Sequence, residues 1–236
     1  MKLSKLYQGL GLDPMVAISR IIENHAKNSR EDLTLLDIGS GSSWYWLEGP
    51  LFDLKNKFKI NVFCLDPANE IQSLPNANGL QLIPGFAPTS LKEFKDNTFN
   101  YVIALDLIEH LTKSDGYKLL YEMDRISSDL QVIFTPNGFV WQPPSVNNEF
   151  NAHISGWKPH EFKNFGYDKI IGMVGLKRFF GPYAALARTN PSKLFRLVAH
   201  SSSLFAYVFY KYAFSFIAIR NKKQLILWRV ANQDLI

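Results

Sequence analysis

The chain has a single cysteine, Cys64, set inside an apolar run. That excludes an internal disulfide and any cysteine-rich metal site, and it makes a reduced cytoplasm the expected setting, with Cys64 a small buried core residue. Long uninterrupted apolar runs are also missing. Residues 1–16 contain no apolar segment of the length a secretion signal needs. The most apolar late stretch, residues 195–219, is interrupted by Arg196, His200, three consecutive serines and Lys211, which a spanning helix would not tolerate easily. No internal repeat or low-complexity segment occurs. Acids are nearly absent from one end: residues 169–236 hold 11 Lys and Arg against one acid, Asp234, whereas residues 1–168 hold 15 against 20. The net charge of +5 therefore combines two parts of opposite sign, which face different environments.

With 236 residues, 47% of them hydrophobic, the chain can bury the core of one α/β domain. Residues 1–31 read as helical. Asp13 can cap a helix that begins at Pro14 and carries Met15, Ile18, Ile21 and Ile22 on one face, and this helix is expected to cover an edge of a sheet. Residues 33–38 are a buried strand that runs into Gly39-Ser40-Gly41. Residues 44–58 are helical, broken or restarted at Gly49-Pro50. A second strand, 60–65, ends in Asp66-Pro67. A third, 80–84, is followed by Gly85-Phe86-Ala87, and a fourth, 99–105, delivers Asp106 to the same edge. Ser114 is the expected cap of a helix over 115–126, whose apolar stripe is Leu119, Leu120, Met123 and Ile126. Residues 130–135 form a fifth strand, closed by Pro136-Asn137-Gly138.

Strands alternating with helices predict a doubly wound, mostly parallel sheet with helices on both faces, which binds ligands beyond the strand carboxyl ends. After residue 138 the pattern changes. A polar and aromatic connection spans 139–157, a short helix 158–164 and a sixth strand 169–174. Residues 175–212 hold a loop around Asn190-Pro191 and a helix marked by Leu194, Leu197, Val198, Phe205, Val208 and Tyr212. The last predicted elements are strands over 213–219 and 224–230, then a tail. The organisation expected is one domain: a helical cover (1–31), a ligand-binding core (33–175), a basic aromatic helical insertion or lid (176–212), and a closing strand with tail (213–236).

Three ligands compete for the glycine turn. A nucleoside triphosphate loop needs a lysine that the turn does not have. A dinucleotide fingerprint would put Trp44 where a small residue must let the helix approach the strand, and Asp37 just before the turn would repel a pyrophosphate. S-adenosylmethionine fits better: it has no phosphate, and its ammonium and sulfonium are favoured by an acid at the strand end. Asp66 can accept from ribose hydroxyls, and Phe86-Ala87 can wall the adenine.

The order LLDIGSGS, FCLDP, GFAPTSL, FNYVIALDLIEHL and VIFTPNG resembles the Rossmann-like class I S-adenosylmethionine-dependent methyltransferases of the bacterial small-molecule type, over roughly residues 33–175. AFSFIAIRNK is similar to that family's closing antiparallel strand, which implies a seven-stranded sheet with its last strand antiparallel. The resemblance implies that Asp37, Gly39, Ser40 and Gly41 contact the methionine part and Asp66-Pro67 the ribose. Phe86 and Ala87 would lie by the adenine, and Asp106 with Leu107 would line the floor. Ser43 stands where the family often has a third glycine, and Phe86 where an acid for the adenine amino group is common.

His110, in DLIEHL, is a candidate cofactor contact. Asp106, Glu109 and His110 include two carboxylates and an imidazole, but without a further acidic partner they read as ordinary helix-entry residues, and no metal is expected. His153, in the segment after the fifth strand where such enzymes present an acceptor-facing loop, is the candidate general base. Trp141 and Trp157 are candidate walls of the acceptor pocket. The basic aromatic part interleaves Phe179, Phe180, Tyr183, Phe205, Tyr207, Phe209, Tyr210, Tyr212, Phe214 and Phe216 with Lys177, Arg178, Arg188, Lys193, Arg196 and Lys211. It can be a lid for an anionic or lipid-linked acceptor, a contact with an anionic membrane surface, or a solvated face; no nucleic-acid module is present. The expected function is direct methyl transfer from S-adenosylmethionine to an oxygen or nitrogen of a small or glycan-like acceptor. An inactive methyltransferase-like binding module and an NAD-dependent oxidoreductase are the alternatives.

Overall fold

A computed structural model describes residues 13–27, 32–41, 44–67, 79–144, 149–177, 198 and 201–222. Expectations for residues 1–12, for Ser43, for the predicted strand over 224–230 and for most of the basic aromatic part lie outside these residues. The first described element, α1 (Pro14–Ala26), starts as its sequence dictates. The Asp13 carboxylate accepts from the amides of Met15 at 2.9 Å and Val16 at 3.2 Å, with Pro14 in the first turn.

Seven strands form one sheet: β1 (Thr34–Ile38), β2 (Asn61–Asp66), β3 (Leu80–Pro84), β4 (Phe99–Leu105), β5 (Ser127–Pro136), β6 (Lys169–Leu176) and β7 (Ala213–Asn221). Their order is β3-β2-β1-β4-β5-β7-β6. The first five strands pair in parallel, and β7 runs antiparallel to both β5 and β6. Chain order reverses direction between β1 and β4, so this is the switch point where loops diverge and leave a crevice. Register brings the ends level: Ile38 lies beside Leu65 and Ala104, and Asp66 beside Pro84.

Successive residues of a strand point to opposite faces, and both faces are covered. Leu35, Tyr101, Ile103 and Val132 face a core shared with Ile18 and Ile22 of α1 and with Leu51 and Leu54 of α2 (Pro50–Phe58). Leu36, Val102, Ala104 and Ile133 face Leu119, Leu120 and Met123 of α3 (Lys113–Ile126) and Phe162 of α4 (Pro159–Asn164). Helix α1 therefore covers a face of the sheet and not an edge; the edges are β3 and β6.

Other boundaries shift for local reasons. The segment 44–58 divides into a 3-10 turn (Trp44–Trp46) and α2, which restarts at Gly49 (φ 85°) and Pro50. Thr112, and not Ser114, caps α3: its Oγ1 accepts from the Asp115 amide at 3.1 Å and donates to the Asp115 carboxylate at 2.8 Å. This reciprocal bonding, with a Thr three residues before an acid, fixes the start two residues earlier than a cap at 114 allows. Of the late helical part, α5 (Ser203–Val208) is described; it crosses β6 so closely that a Cβ on Gly172 would lie 1.9 Å from the Ala206 carbonyl oxygen. Among the described residues no helix is long and apolar enough to cross a membrane.

Candidate active site

At the end of β1 the backbone turns through Gly39 (φ 70°) and Gly41 (φ 53°). Two constraints select glycine at 39: a left-handed φ, and the Leu107 side chain, 2.6 Å from where a Cβ would sit. The Gly39 amide donates to the Leu65 carbonyl at 2.7 Å, and the Gly41 amide to Asp66 Oδ2 at 2.8 Å, so the turn is tied to the end of β2. A Cβ on Gly41 would meet nothing within 4 Å, leaving that backbone open.

It opens onto a cleft of about 200 Å³ beyond the ends of β1, β2 and β4. Gly39, Gly41, Asp66, Pro67 and Ala87 line one side; Asp106, Leu107 and His110 line the other, with Phe150 and Asn151 at the mouth. Three expected contacts lie outside this lining: Asp37, which is fully buried behind the turn, Ser40 and Phe86. Ser40 is buried within the turn, and Phe86 is 53% exposed, its ring packed edge-to-face on Phe150 with centroids 5.3 Å apart.

Asp37 is fully buried behind the turn. Its Oδ2 accepts from the Tyr45 hydroxyl and from Trp46 Nε1, each at 2.8 Å, while its Oδ1 is buried without a partner. Burial pushes its pKa from 3.8 up to about 7, against the two aromatic donors, which pull it down, and with Asp66 adding to the rise. The sequence leaves Trp44-Tyr45 either tucked under the cofactor or pointing into the acceptor pocket and assigns Trp46 no role. In the fold Tyr45 and Trp46 both turn to Asp37, and the readable signal is two aromatics with polar N–H and O–H groups just past a strand-end acid.

The opposite wall is built from the turn after β4. Asp106 has φ 49°, a conformation aspartate tolerates better than most residues, and its amide donates to the Phe134 carbonyl at 2.9 Å. The side chain is open to the cleft, but the surrounding walls exclude enough bulk water to push its pKa up to about 6. Glu109 behind it is buried, and burial followed by the charge of Asp106 holds its carboxyl well above the usual range. Thr135 Oγ1 donates to Glu109 Oε2 at 3.0 Å, and Glu109 Oε1 has no partner.

The Glu109 carbonyl accepts from the amides of Ile154 and Ser155, both at 3.0 Å, and so anchors the segment that carries His153. That segment is closed on itself by Gly138 N to Trp157 O at 2.6 Å and His153 N to Gln142 O at 3.0 Å. It packs tightly enough that a Cβ on Gly156 would strike the Phe139 amide at 2.3 Å. The result brings His110 and His153 together, with ring centroids 4.7 Å apart and planes at 72°. Burial lowers the pKa of both imidazoles; for His110 the neighbouring His153 lowers it further.

Trp157 does not wall an acceptor pocket. Its ring is fully buried, its Nε1 donates to the Ile108 carbonyl and to Ser155 Oγ, and Lys113 Nζ sits 3.6 Å from a ring centroid. Trp141 is 55% exposed and absent from the cleft lining. Of the aromatics in the basic part, Phe214 and Phe216 are core residues of β7, whereas Phe205, Tyr207, Phe209 and Tyr212 are exposed.

No family model matches the chain, and no curated protein matches its sequence. Solved structures do. An S-adenosylmethionine-dependent methyltransferase from Archaeoglobus fulgidus superposes with a TM-score of 0.54 at 15% identity, covering 93% of this chain and 99% of that one. Geranyl diphosphate C-methyltransferase from Streptomyces coelicolor A3(2), in complex with Mg2+, geranyl diphosphate and S-adenosyl-L-homocysteine, gives 0.51 at 13% identity over 87% of this chain and 80% of that one. With the strand order and the glycine turn described above, these likenesses establish the Rossmann-like fold of the class I S-adenosylmethionine-dependent methyltransferases for this chain.

Proposed function

We propose that the protein is an S-adenosylmethionine-dependent methyltransferase that acts on an oxygen or nitrogen of a small, hydroxylated or glycan-like acceptor. The observation that carries this reading is the cleft at the switch point, where the glycine turn, Asp66 and Asp106 meet on three strand ends. The residues fit the cofactor. Gly39 and Gly41 present backbone to the methionine part, and Asp66, already oriented by the Gly41 amide, accepts from the ribose hydroxyls. Pro67 and Ala87 flank the adenine, and Leu107 with His110 closes the floor. Above neutral pH, where its buried carboxyl gives up its proton, Asp37 beneath the turn supplies negative charge toward the ammonium. Acids on the rim oppose a pyrophosphate, which disfavours a nicotinamide dinucleotide.

The cofactor supplies an electrophilic methyl carbon on a sulfonium. This chain's part is to hold the acceptor in line with that carbon and to manage the acceptor's proton. We assign His153 to the acceptor side because it stands outside the cofactor cleft's lining but against His110, and with Nδ1 committed to the Val140 carbonyl at 2.7 Å its lone pair is on Nε2. That lone pair can take a proton or hold a cation. The basic aromatic part supports a further proposal of contact with an anionic membrane or a lipid-linked acceptor on the cytoplasmic side. Flotation with anionic liposomes should show binding that falls with salt, and its absence would remove the membrane from the proposal.

Calorimetric titration with S-adenosylhomocysteine tests the central reading. We expect one site per chain, weakened at least tenfold by Asp66→Ala; no heat and no thermal shift would leave a binding module without this cofactor. Quenching or enhancement of NADH fluorescence would point to the oxidoreductase instead.

A further inference from the structure

We infer that Glu109, His110 and His153 form a binding site for one divalent transition-metal ion at the acceptor side of the cleft. One ligand atom from each residue lies within 4.8 Å of the others. An ion with bonds of about 2.1 Å needs its ligands about 3 to 4 Å apart, so small side-chain rotations close the set.

The histidines are prepared for coordination by their other ring atom. Nδ1 of His110 bonds the Ala152 carbonyl at 2.9 Å and Nδ1 of His153 the Val140 carbonyl at 2.7 Å. A carbonyl only accepts, so each Nδ1 carries the proton and each Nε2 carries a lone pair. Metal-bound histidines are commonly oriented in this way, through a carbonyl or carboxylate on the non-ligating nitrogen. Edge-to-face packing of the two rings could arise without an ion, but it does not account for Glu109. That carboxyl group is 2% exposed, Thr135 holds one oxygen, the other finds no donor among the described residues around it, and the Asp106 carboxyl is in hydrogen-bond reach of the group. Two acids and two imidazole lone pairs thus meet in one place with no cationic side chain among them, and an ion there would give them a common partner.

The site is also built by the fold. Glu109 and His110 follow β4 in a single 3-10 turn, Ile108–His110, and the Glu109 carbonyl grips the Ile154 and Ser155 amides, so the backbone holds His153 against the other two. Asp106 stands beside Glu109 at the cleft and is placed to join as a fourth donor. Two imidazoles with one or two carboxylates suit Mn2+, Fe2+, Co2+ or Zn2+ better than Mg2+ or Ca2+, which prefer all-oxygen surroundings. Three protein ligands leave coordination positions open, the pattern of catalytic and not structural sites. Resting on the methyltransferase reading, those positions would take an oxygen of a hydroxylated acceptor and lower its pKa so that its proton passes to solvent water, with His153 a ligand and not the base.

The test uses the full chain stripped with a chelator and titrated with Mn2+ by electron paramagnetic resonance and with Zn2+ by calorimetry. One ion per chain should bind at micromolar concentration, with affinity lowered about 10- to 100-fold in His153→Gln and in Glu109→Gln. Because Glu109 is buried, His110→Gln is the companion variant, and circular dichroism checks that each folds. S-adenosylhomocysteine affinity should be unchanged within about threefold in His153→Gln. No ion bound at millimolar concentration by folded protein, or equal affinity in all variants, would overturn the site. Ion binding without S-adenosylhomocysteine binding would support the site while overturning the methyltransferase reading, and the reverse pattern would do the opposite.

Discussion

Replacing Asp37 by asparagine should move stability and cofactor affinity in opposite directions above neutral pH. The buried carboxyl holds its proton up to about 7 in the folded chain, whereas an unfolded chain releases it near 3.8. Between these values the folded state binds more protons, so wild-type stability falls as pH rises through the window and levels off above it. A shift of about three units is worth about 4 kcal/mol when complete. An asparagine side chain mimics the neutral carboxyl: its amide oxygen can accept from Trp46, and the Tyr45 hydroxyl can rotate to suit.

Urea unfolding of the cofactor-free chain, wild type against Asp37→Asn, should give a difference near zero around pH 4. The difference should grow by about 1.4 kcal/mol per pH unit and reach a plateau of about 4 kcal/mol in favour of the variant near pH 8. The neighbouring acids Asp106 and Glu109 cancel in this comparison. S-adenosylhomocysteine should meanwhile bind the variant at least tenfold more weakly near pH 8, because the charge beneath the turn is gone; tenfold corresponds to about 1.4 kcal/mol. A stability difference that stays flat with pH would refute the assignment of a buried, proton-holding carboxyl. Equal affinities would remove Asp37 from cofactor recognition.

Gly39→Ala meets both a left-handed φ and the Leu107 side chain, so it should destabilise the fold by about 1 to 3 kcal/mol and weaken S-adenosylhomocysteine binding. Leu107→Ala in the same chain should recover part of the stability and not all of it, since relieving the clash leaves the φ strain; full recovery would contradict the backbone part. His153→Ala should lower turnover with a competent acceptor far more than cofactor affinity, and unchanged turnover would take His153 out of the chemistry. Thr112→Ala should cost about 1 kcal/mol in urea unfolding, while Ser114→Ala should cost nothing measurable; the reverse order would restore Ser114 as the cap.

The elements whose formation depends on local sequence were legible. Strands β3 and β4 begin and end where their apolar runs do, and Asp13-Pro14 opens α1. The glycine turn and the acids Asp66 and Asp106 were legible as cleft residues too, because a parallel sheet carries every strand's carboxyl end to one side. Side-chain partnerships across the fold were not. A tryptophan's sequence context does not distinguish Trp157, locked onto the Ile108 carbonyl and stacked under Lys113, from a pocket wall. Nor does it say that Trp46 and Tyr45 turn back to Asp37. The pairing of His110 with His153 depends on the Glu109 carbonyl catching two amides of a distant segment. Local chemistry along the chain was enough for the order of strands and helices and for the glycine turn at the cleft. Which side chains share a buried space, and so which acid keeps its proton and which imidazoles face one ion, follows from the packed fold alone, because those contacts join segments that only the assembled sheet brings together.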